Sequence, residues 1–357
     1  MINDGIGGIK VPSSIVDLTG FNFNDGLTCI PPGEAPKSFN QSFFRGENCG
    51  FNPYSKDFLN KDFLQRFILK GWVPEKPIID KRTRITAFGS CFAVHIADHL
   101  SNIGYDLSKE RSPKIHISTM GEGLVNVHAI AQQFEWALEN IVPPQGLWHG
   151  YKCEEFGYDE GIRQKTRDVF LSTDFFILTL GLSEIWYDEQ TGGIFWRAVP
   201  KEYYDESRHK FRVCTFAETK ERLEKIYELI RKHVPNAKLL FALSPVPLAA
   251  TFRPVSCLTA NSTSKAILRA ALDEFYRNHL DVLNQTLFYF PSFEVVSELF
   301  FVRYEEDGRH PLPAIIDLIM HLFAAVYCSG SPTIEQVEAM YQEMRGLNAK
   351  LPMTITN

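Results

Sequence analysis

Residues 84–93 read Arg-Ile-Thr-Ala-Phe-Gly-Ser-Cys-Phe-Ala, and this stretch decides the fold. Arg84 to Ser90 has the composition of a short buried strand, and Phe92 to Ile103 has that of a helix closed by Gly104. A glycine at a strand end, followed by small residues that open a helix, is one way an activated Ser or Cys is presented. The glycine permits a tight turn, and the helix N-terminus favours a developing anion. A thiol in that place also carries a larger thiolate fraction. The same letters make an ordinary turn that lets strand and helix pack. The turn alone therefore leaves Ser90, Cys91 and a packing role all open.

Working outward, the regular pattern continues to the C-terminal side. Lys114 to Ser118 reads as a short strand, and Asn126 to Asn140 as an amphipathic helix. Thr173 to Leu180 (TDFFILTL) is an apolar run of the kind buried on both faces of a parallel sheet. Phe216 to His233 is periodic helix, Lys238 to Leu243 strand, Ser264 to His279 helix, Thr286 to Phe290 strand and Pro311 to Tyr327 helix. Alternation of this kind specifies a three-layer α/β fold with a mostly parallel sheet, whose ligand site lies beyond the carboxyl ends of the strands. Three regions are expected: an irregular arm over residues 1–80 with one helix from Ser55 to about Leu69, the α/β domain over 81–330, and a helical tail over 331–357.

Composition bounds the function. The chain has 357 residues, with 37 Lys+Arg against 43 Asp+Glu and a net charge of −6, which argues against nucleic acid as a partner. Apolar residues make up 45% and charged residues 22%, so the chain has the means to bury a core. No apolar run reaches the roughly 18 residues a spanning helix needs. Met1 to Lys10 lacks the basic and apolar regions of a secretory signal. The seven cysteines are odd in number, widely spaced and form no CxxC. A reducing, cytoplasmic setting is expected, with neither a disulfide framework nor a thiolate zinc site.

The strand ends hold one further constellation. Asp307 and His310 stand three residues apart just before the last long helix of the sheet region. That spacing lets a carboxylate hold one imidazole nitrogen while the other faces a nucleophile. The pair belongs to the last strand-to-helix connection and the Ser90-Cys91 turn to the first.

FGSCFA matches the signature of the GSCFA family, a group similar to the SGNH/GDSL hydrolases. Leu180 to Trp186 (LGLSEIW) resembles that family's LGxSExW block. Ser244 to Val246 resembles its SPV block, Asn261 to Lys265 its NSxSK block, Asp307 to Pro311 its DxxHP block, and Gly121 to Gln132 its Asn-containing segment. The likeness runs from about residue 82 to 325. It implies an SGNH-hydrolase-like (flavodoxin-like) sheet and an ester hydrolase or acyltransferase acting on acylated glycan or lipid-linked substrates, with no cofactor and no metal. Laid on the superfamily's GDS block, the nucleophile position falls on Cys91, with Ser90 as the alternative. His310 becomes general base and Asp307 its orienter. Gly121, Gly123, Asn126, Gly181, Ser183, Glu184 and Trp186 become the oxyanion and substrate-binding positions, Ser183 standing where the superfamily has Asn. That substitution shortens a donor, and it motivates a second reading: a catalytically degenerate module that binds a glycan or a protein.

Rival signals are weaker. His95-Ile96-Ala97-Asp98-His99 places two histidines at helical spacing, but the acid is Asp and no third ligand follows. Lys201, Arg208, His209, Lys210 and Arg212 form a basic cluster, read as a solvated loop or as an anion-binding surface.

Overall fold

The computed structural model describes residues 52–54, 56–107, 114–120, 123–144, 157–330 and 332–348, together with the strands Ile15–Val16 and Phe43–Phe44. The chain divides into two compact units, Met1–Phe67 and Ile68–Asn357. In the first, Ile15–Val16 pairs antiparallel with Phe43–Phe44. The single helix expected from Ser55 to Leu69 is not formed. A 3₁₀ turn, Asp57–Leu59, ends at Asn60 in extended conformation, and a π-helical segment follows over Leu64–Leu69. The Asp57 carboxylate accepts from the Tyr54 amide and from Asn60 Nδ2, local bonds that compete with helix propagation. Most of the expected coil from Asn22 to Pro53 lies outside the described residues.

In the second unit five parallel strands form the central sheet. They are β1 (Arg84–Gly89), β2 (Asp106–Leu107), β3 (Phe175–Leu180), β6 (Lys238–Leu243) and β7 (Leu287–Phe290), in the order β2-β1-β3-β6-β7. This is the flavodoxin-like order, in which the chain reverses its direction of winding between β1 and β3. The connections are α1 (Cys91–Asn102), α2 (His116–Thr119), α3 (Val127–Glu139), α4 (Glu160–Leu171), α5 (Phe216–His233), α6 (Cys257–Asn278) and α7 (Ser292–Leu299), followed by α8 (Pro313–Tyr327) and α9 (Ile334–Asn348). Helices α3, α4, α5 and α6 pack side by side, and α1 packs with α8, which also carries α9.

The continuous apolar character of β3 follows from burial on both faces. Phe176 points into a ring cluster with Phe134, itself stacked on Phe170 at 4.5 Å. Phe175 points the other way, 5.9 Å from Phe288 and 6.4 Å from Tyr327. Burying such aromatics contributes about 1.5–3 kcal/mol each, so these two clusters fix the helical layers to the sheet.

Two local expectations are corrected. The stretch expected as a strand from Lys114 to Ser118 contains instead the short helix α2, and the edge strand is β2, pairing Asp106 with Arg84 and Leu107 with Ile85. Ile115 and Ile117 alternate like strand residues, yet both are buried in the helical-layer core beside Met120. Helix α6 begins at Cys257, capped by Ser256, about two turns before the expected start at Ser264. Between β3 and α5 the chain adds an antiparallel hairpin, β4 (Glu184–Asp188) with β5 (His209–Val213), in the register Trp186 opposite Phe211. That hairpin walls the site.

Candidate active site

The turn after β1 is built by close approach. Gly89 has φ +134, which side-chain-bearing residues rarely adopt. Ser90 then caps α1 by position but not by side chain. Its hydroxyl lies 2.7 Å from Thr179 Oγ1, and its amide donates to Thr179 Oγ1 at 2.7 Å and to the Thr179 carbonyl at 3.1 Å. Ser90 is therefore buried and anchored to β3, and Cys91, the first residue of α1, is partly exposed.

Cys91 opens onto a cavity of about 410 Å³ at the carboxyl edge of the sheet. Ser90, Cys91, Asn126, Gly181, Glu184, Trp186 and His310 all line it. The Asp307 carboxylate accepts from His310 Nδ1, from the His310 amide at 3.0 Å and from the Arg309 amide at 2.9 Å. Those backbone and side-chain donors hold the Asp307 carboxyl down at about 2. The ring of His310 is thus oriented through Nδ1, leaving Nε2 for other work.

The remaining expected positions divide. Gly123 and Ser183 are not in the cavity wall. The Gly123 amide donates to the Met120 carbonyl, and the Ser183 hydroxyl donates to Ser264 Oγ at 3.2 Å. The Gly181 amide donates to the Val125 carbonyl at 2.8 Å, and a Cβ at 181 would meet Val125 at 3.0 Å. Asn126 caps α3 by accepting from the Ala129 amide at 2.9 Å, while its Nδ2 donates to the carbonyls of Trp196 and Phe195. These donors are engaged in holding the loops together. Gly121 lies outside the described residues.

Glu184 and Trp186 are differently placed. Glu184 is 7% exposed. Its Oε1 accepts from the Thr251 hydroxyl at 2.9 Å, and its Oε2 is buried without a protein partner. Burial raises its pKa, opposed by the Thr251 hydrogen bond and the Arg253 charge. Trp186 meets Phe252 edge-on at 4.8 Å and Phe211 at 5.7 Å, and its indole Nε1 is also buried without a partner.

The residues missed in the sequence lie behind the wall. Lys265, in the stretch resembling the NSxSK block, is 4% exposed and donates Nζ to the carbonyls of Gly181 and Ser244, each at 2.7 Å. Asn261 Oδ1 accepts from the Leu248 amide, so this block joins two segments of the cavity rim, one at Gly181 and one over Ser244 to Leu248. A lysine on the apolar face of α6, among Leu268, Ala271 and Leu272, was the available signal. Thr179 was legible only as the polar letter closing an apolar run.

In the basic cluster Arg208 pairs with Asp188, Arg212 with Glu218 at 2.5 Å, and Lys210 with Glu189 at 3.8 Å, so three of its five members are engaged by carboxylates. His99 meets His321, at 5.6 Å between rings. His128, Cys214 and Glu218 converge to within 4.8 Å, but Arg212 forks onto Glu218, and a cation there would face a guanidinium. Among the described residues no helix is long and apolar enough to cross a membrane.

A parallel sheet of flavodoxin-like order thus carries a thiol and an oriented imidazole at its carboxyl edge. The chain belongs to the GSCFA family, whose model matches residues 84–323. No curated protein matches it. Among solved structures it is similar to a carbohydrate esterase family 2 enzyme with its carbohydrate-binding domain from Corynascus thermopiles (Myceliophthora fergusii). The identity is 12%, covering 78% of this chain and 69% of that one, with a TM-score of 0.31. It is also similar to an acetyl xylan esterase from the rumen bacterium Butyrivibrio proteoclasticus, at 14% identity over 70% of this chain, with a TM-score of 0.32. The chain spans 64% of the length of that second structure.

Proposed function

We propose that this chain is an ester hydrolase or acyltransferase that works through a cysteine nucleophile. The observation that carries the reading is the opening of Cys91 and His310 onto one cavity, with His310 held by Asp307. Cys91 gives its thiol proton to His310 Nε2 and attacks the ester carbonyl, forming a C–S bond while the C–O bond to the alcohol half breaks. The alkoxide leaves with a proton from His310, and a thioester remains on Cys91. Water or a second hydroxyl then attacks the thioester carbonyl, giving its proton to His310; the C–S bond breaks, and His310 returns that proton to the sulfur. The oxyanion is met by the first turn of α1, which Ser90 leaves without a side-chain cap. Ser183, Gly123, Gly181 and Asn126 are engaged elsewhere and do not serve that role in this reading.

The cavity wall supports a hydroxyl-rich alcohol half, such as a sugar. Trp186, Phe211 and Phe252 contribute aromatic rings to the cavity wall, and Glu184 and Trp186 each keep one polar atom buried without a protein partner. The engaged oxyanion donors favour one second reading, a binding module that retains the pocket without the chemistry. Intact-protein mass spectrometry after exposure to an activated acetyl ester separates the two. The catalytic reading expects an acetyl adduct mapped to Cys91 and released by hydroxylamine, and an adduct-free protein that still binds sugar supports the binding module.

A further inference from the structure

Lys265 is a buried cation without a carboxylate. Among the described residues no acidic side chain pairs with it, and its two hydrogen bonds go to the carbonyls of Gly181 and Ser244 at the ends of β3 and β6. An ammonium group has three N–H bonds, so two carbonyls leave one position that is either a third N–H or a lone pair. The charges acting on Nζ come from α1 and from the turn before α8: Cys91 favours the ammonium form, and Arg309 opposes it. Glu184, Arg197 and His310 are the other titratable groups on the cavity wall that Gly181 and Ser244 share with Cys91. A neutral lysine would satisfy both carbonyls and carry its lone pair in the third position. A charged one is favoured by a nearby anion, and Cys91 is the group whose charge acts in that direction.

We propose that Lys265, held by the Gly181 and Ser244 carbonyls behind the cavity that Cys91 lines, is the charge partner of Cys91, its ammonium stabilising the thiolate through space. The S–H bond breaks with its electron pair left on sulfur, and the lone pair of His310 Nε2 forms the new N–H bond. No other reactant takes part. The inference rests on Cys91 as the nucleophile and deepens that assignment: Lys265 is a positioning residue that acts through the sulfur, and His310 carries the proton to the leaving group. Burial lowers Lys265 to about 7, and the Cys91 charge acts against that shift.

The test is the pH dependence of Cys91 alkylation by iodoacetamide in the full chain, read by peptide mass spectrometry across about pH 5–9. The wild-type midpoint is expected below the ordinary thiol value of about 8.5. Lys265→Gln keeps a donor for one carbonyl and removes the charge, and it should move the midpoint upward by about one pH unit or more. Below the midpoints that is an alkylation rate about tenfold lower at fixed pH. A wild-type midpoint at the ordinary value, or a folded Lys265→Gln with an unmoved midpoint, overturns the pairing. Should Lys265→Gln fail to fold, thiolate ultraviolet absorbance of wild type minus Cys91→Ser reports the same midpoint without touching Lys265. An ordinary value there overturns the proposal. Neither readout needs turnover. An acyl adduct on Cys91 with an ordinary midpoint leaves the acyl-transfer reading standing, and a low midpoint without adduct leaves only the pairing.

Discussion

Gly89 and Thr179 approach so closely that a Cβ on residue 89 would lie 2.2 Å from the Thr179 carbonyl oxygen and 2.8 Å from its hydroxyl. This contact sets the Cys91 turn against the central strand at the point where the sheet changes its winding. It also explains why the same threonine can take both the amide and the hydroxyl of Ser90.

Gly89→Ala is expected to destabilise the domain by at least about 3 kcal/mol, through backbone strain at positive φ and overlap with backbone atoms that cannot rotate away. Urea denaturation followed by circular dichroism measures it. A loss below about 1 kcal/mol would show that the turn relaxes, and the placement of Cys91 would then not depend on glycine.

Ser90→Ala and Cys91→Ala should separate stability from reactivity. The first removes a buried hydroxyl and should cost about 1 kcal/mol while retaining the acyl adduct. The second should leave stability nearly unchanged and abolish the adduct. The opposite pattern in the mass spectra would move the nucleophile one residue back, to the serine.

Asp307→Asn is expected to leave the fold intact and lower esterase turnover by about 10²–10⁴-fold, because the imidazole loses the carboxylate that fixes its tautomer. The Asp307 carboxyl stands at about 2, below its ordinary 3.8. Its contribution is therefore complete above 3.8 and fades as pH falls toward 2, so it should not set the acid limb of activity near neutrality. An acid limb near 6 that survives in Asp307→Asn is assigned to another group.

His116 makes stability depend on pH in a different window. It is buried, stacked on Trp136 at 4.8 Å, with Nε2 2.9 Å from the Gly157 carbonyl, and burial pushes its pKa from 6.5 to about 4. The folded form therefore binds fewer protons than the unfolded chain between these values. Stability is complete above 6.5 and falls as pH drops toward 4, by up to about 3 kcal/mol. Urea midpoints at both ends of that window, in wild type and His116→Phe, check the slope. An equal slope in the variant rules His116 out as its source.

On the proposed acyl-transfer reading, Trp186→Ala should lower the ratio of acyl transfer to hydrolysis by about tenfold when a sugar acceptor competes with water, since an aromatic ring of the cavity wall is removed. Product ratios by mass spectrometry across sugar and polyol acceptors measure this. A ratio unaffected by the substitution places the acceptor elsewhere.

Much of the sheet was legible because its signals are local. Phe175 and Phe176 point to opposite faces and are both buried, so an unbroken apolar run identifies β3 without knowledge of its neighbours. Helix α5 was legible through its periodic leucines and isoleucines, and the structure adds a capping box of Thr215 and Glu218 at its start. The pair β4 and β5 was not legible. Trp186 and Phe211 face each other across a loop of more than twenty residues, and nothing near either one names the other. The short helix α2 was misread because Ile115 and Ile117 are compatible with a strand until the helical-layer core claims them.

The sequence by itself determined the alternation of strands and helices, the glycine turn that presents Cys91, and the Asp307–His310 spacing, because each depends on residues a few positions apart. Only the tertiary structure decided which polar groups remain available. Ser183 is taken by Ser264, Asn126 by Ala129, Phe195 and Trp196, and Gly181 by Val125, whereas Glu184 and Trp186 keep unpartnered atoms. Lys265 acquires its place from carbonyls that lie 84 and 21 residues away in the chain. A hydrogen-bonding group is defined by what reaches it in space, and for a buried one the partners come from segments that only folding brings together.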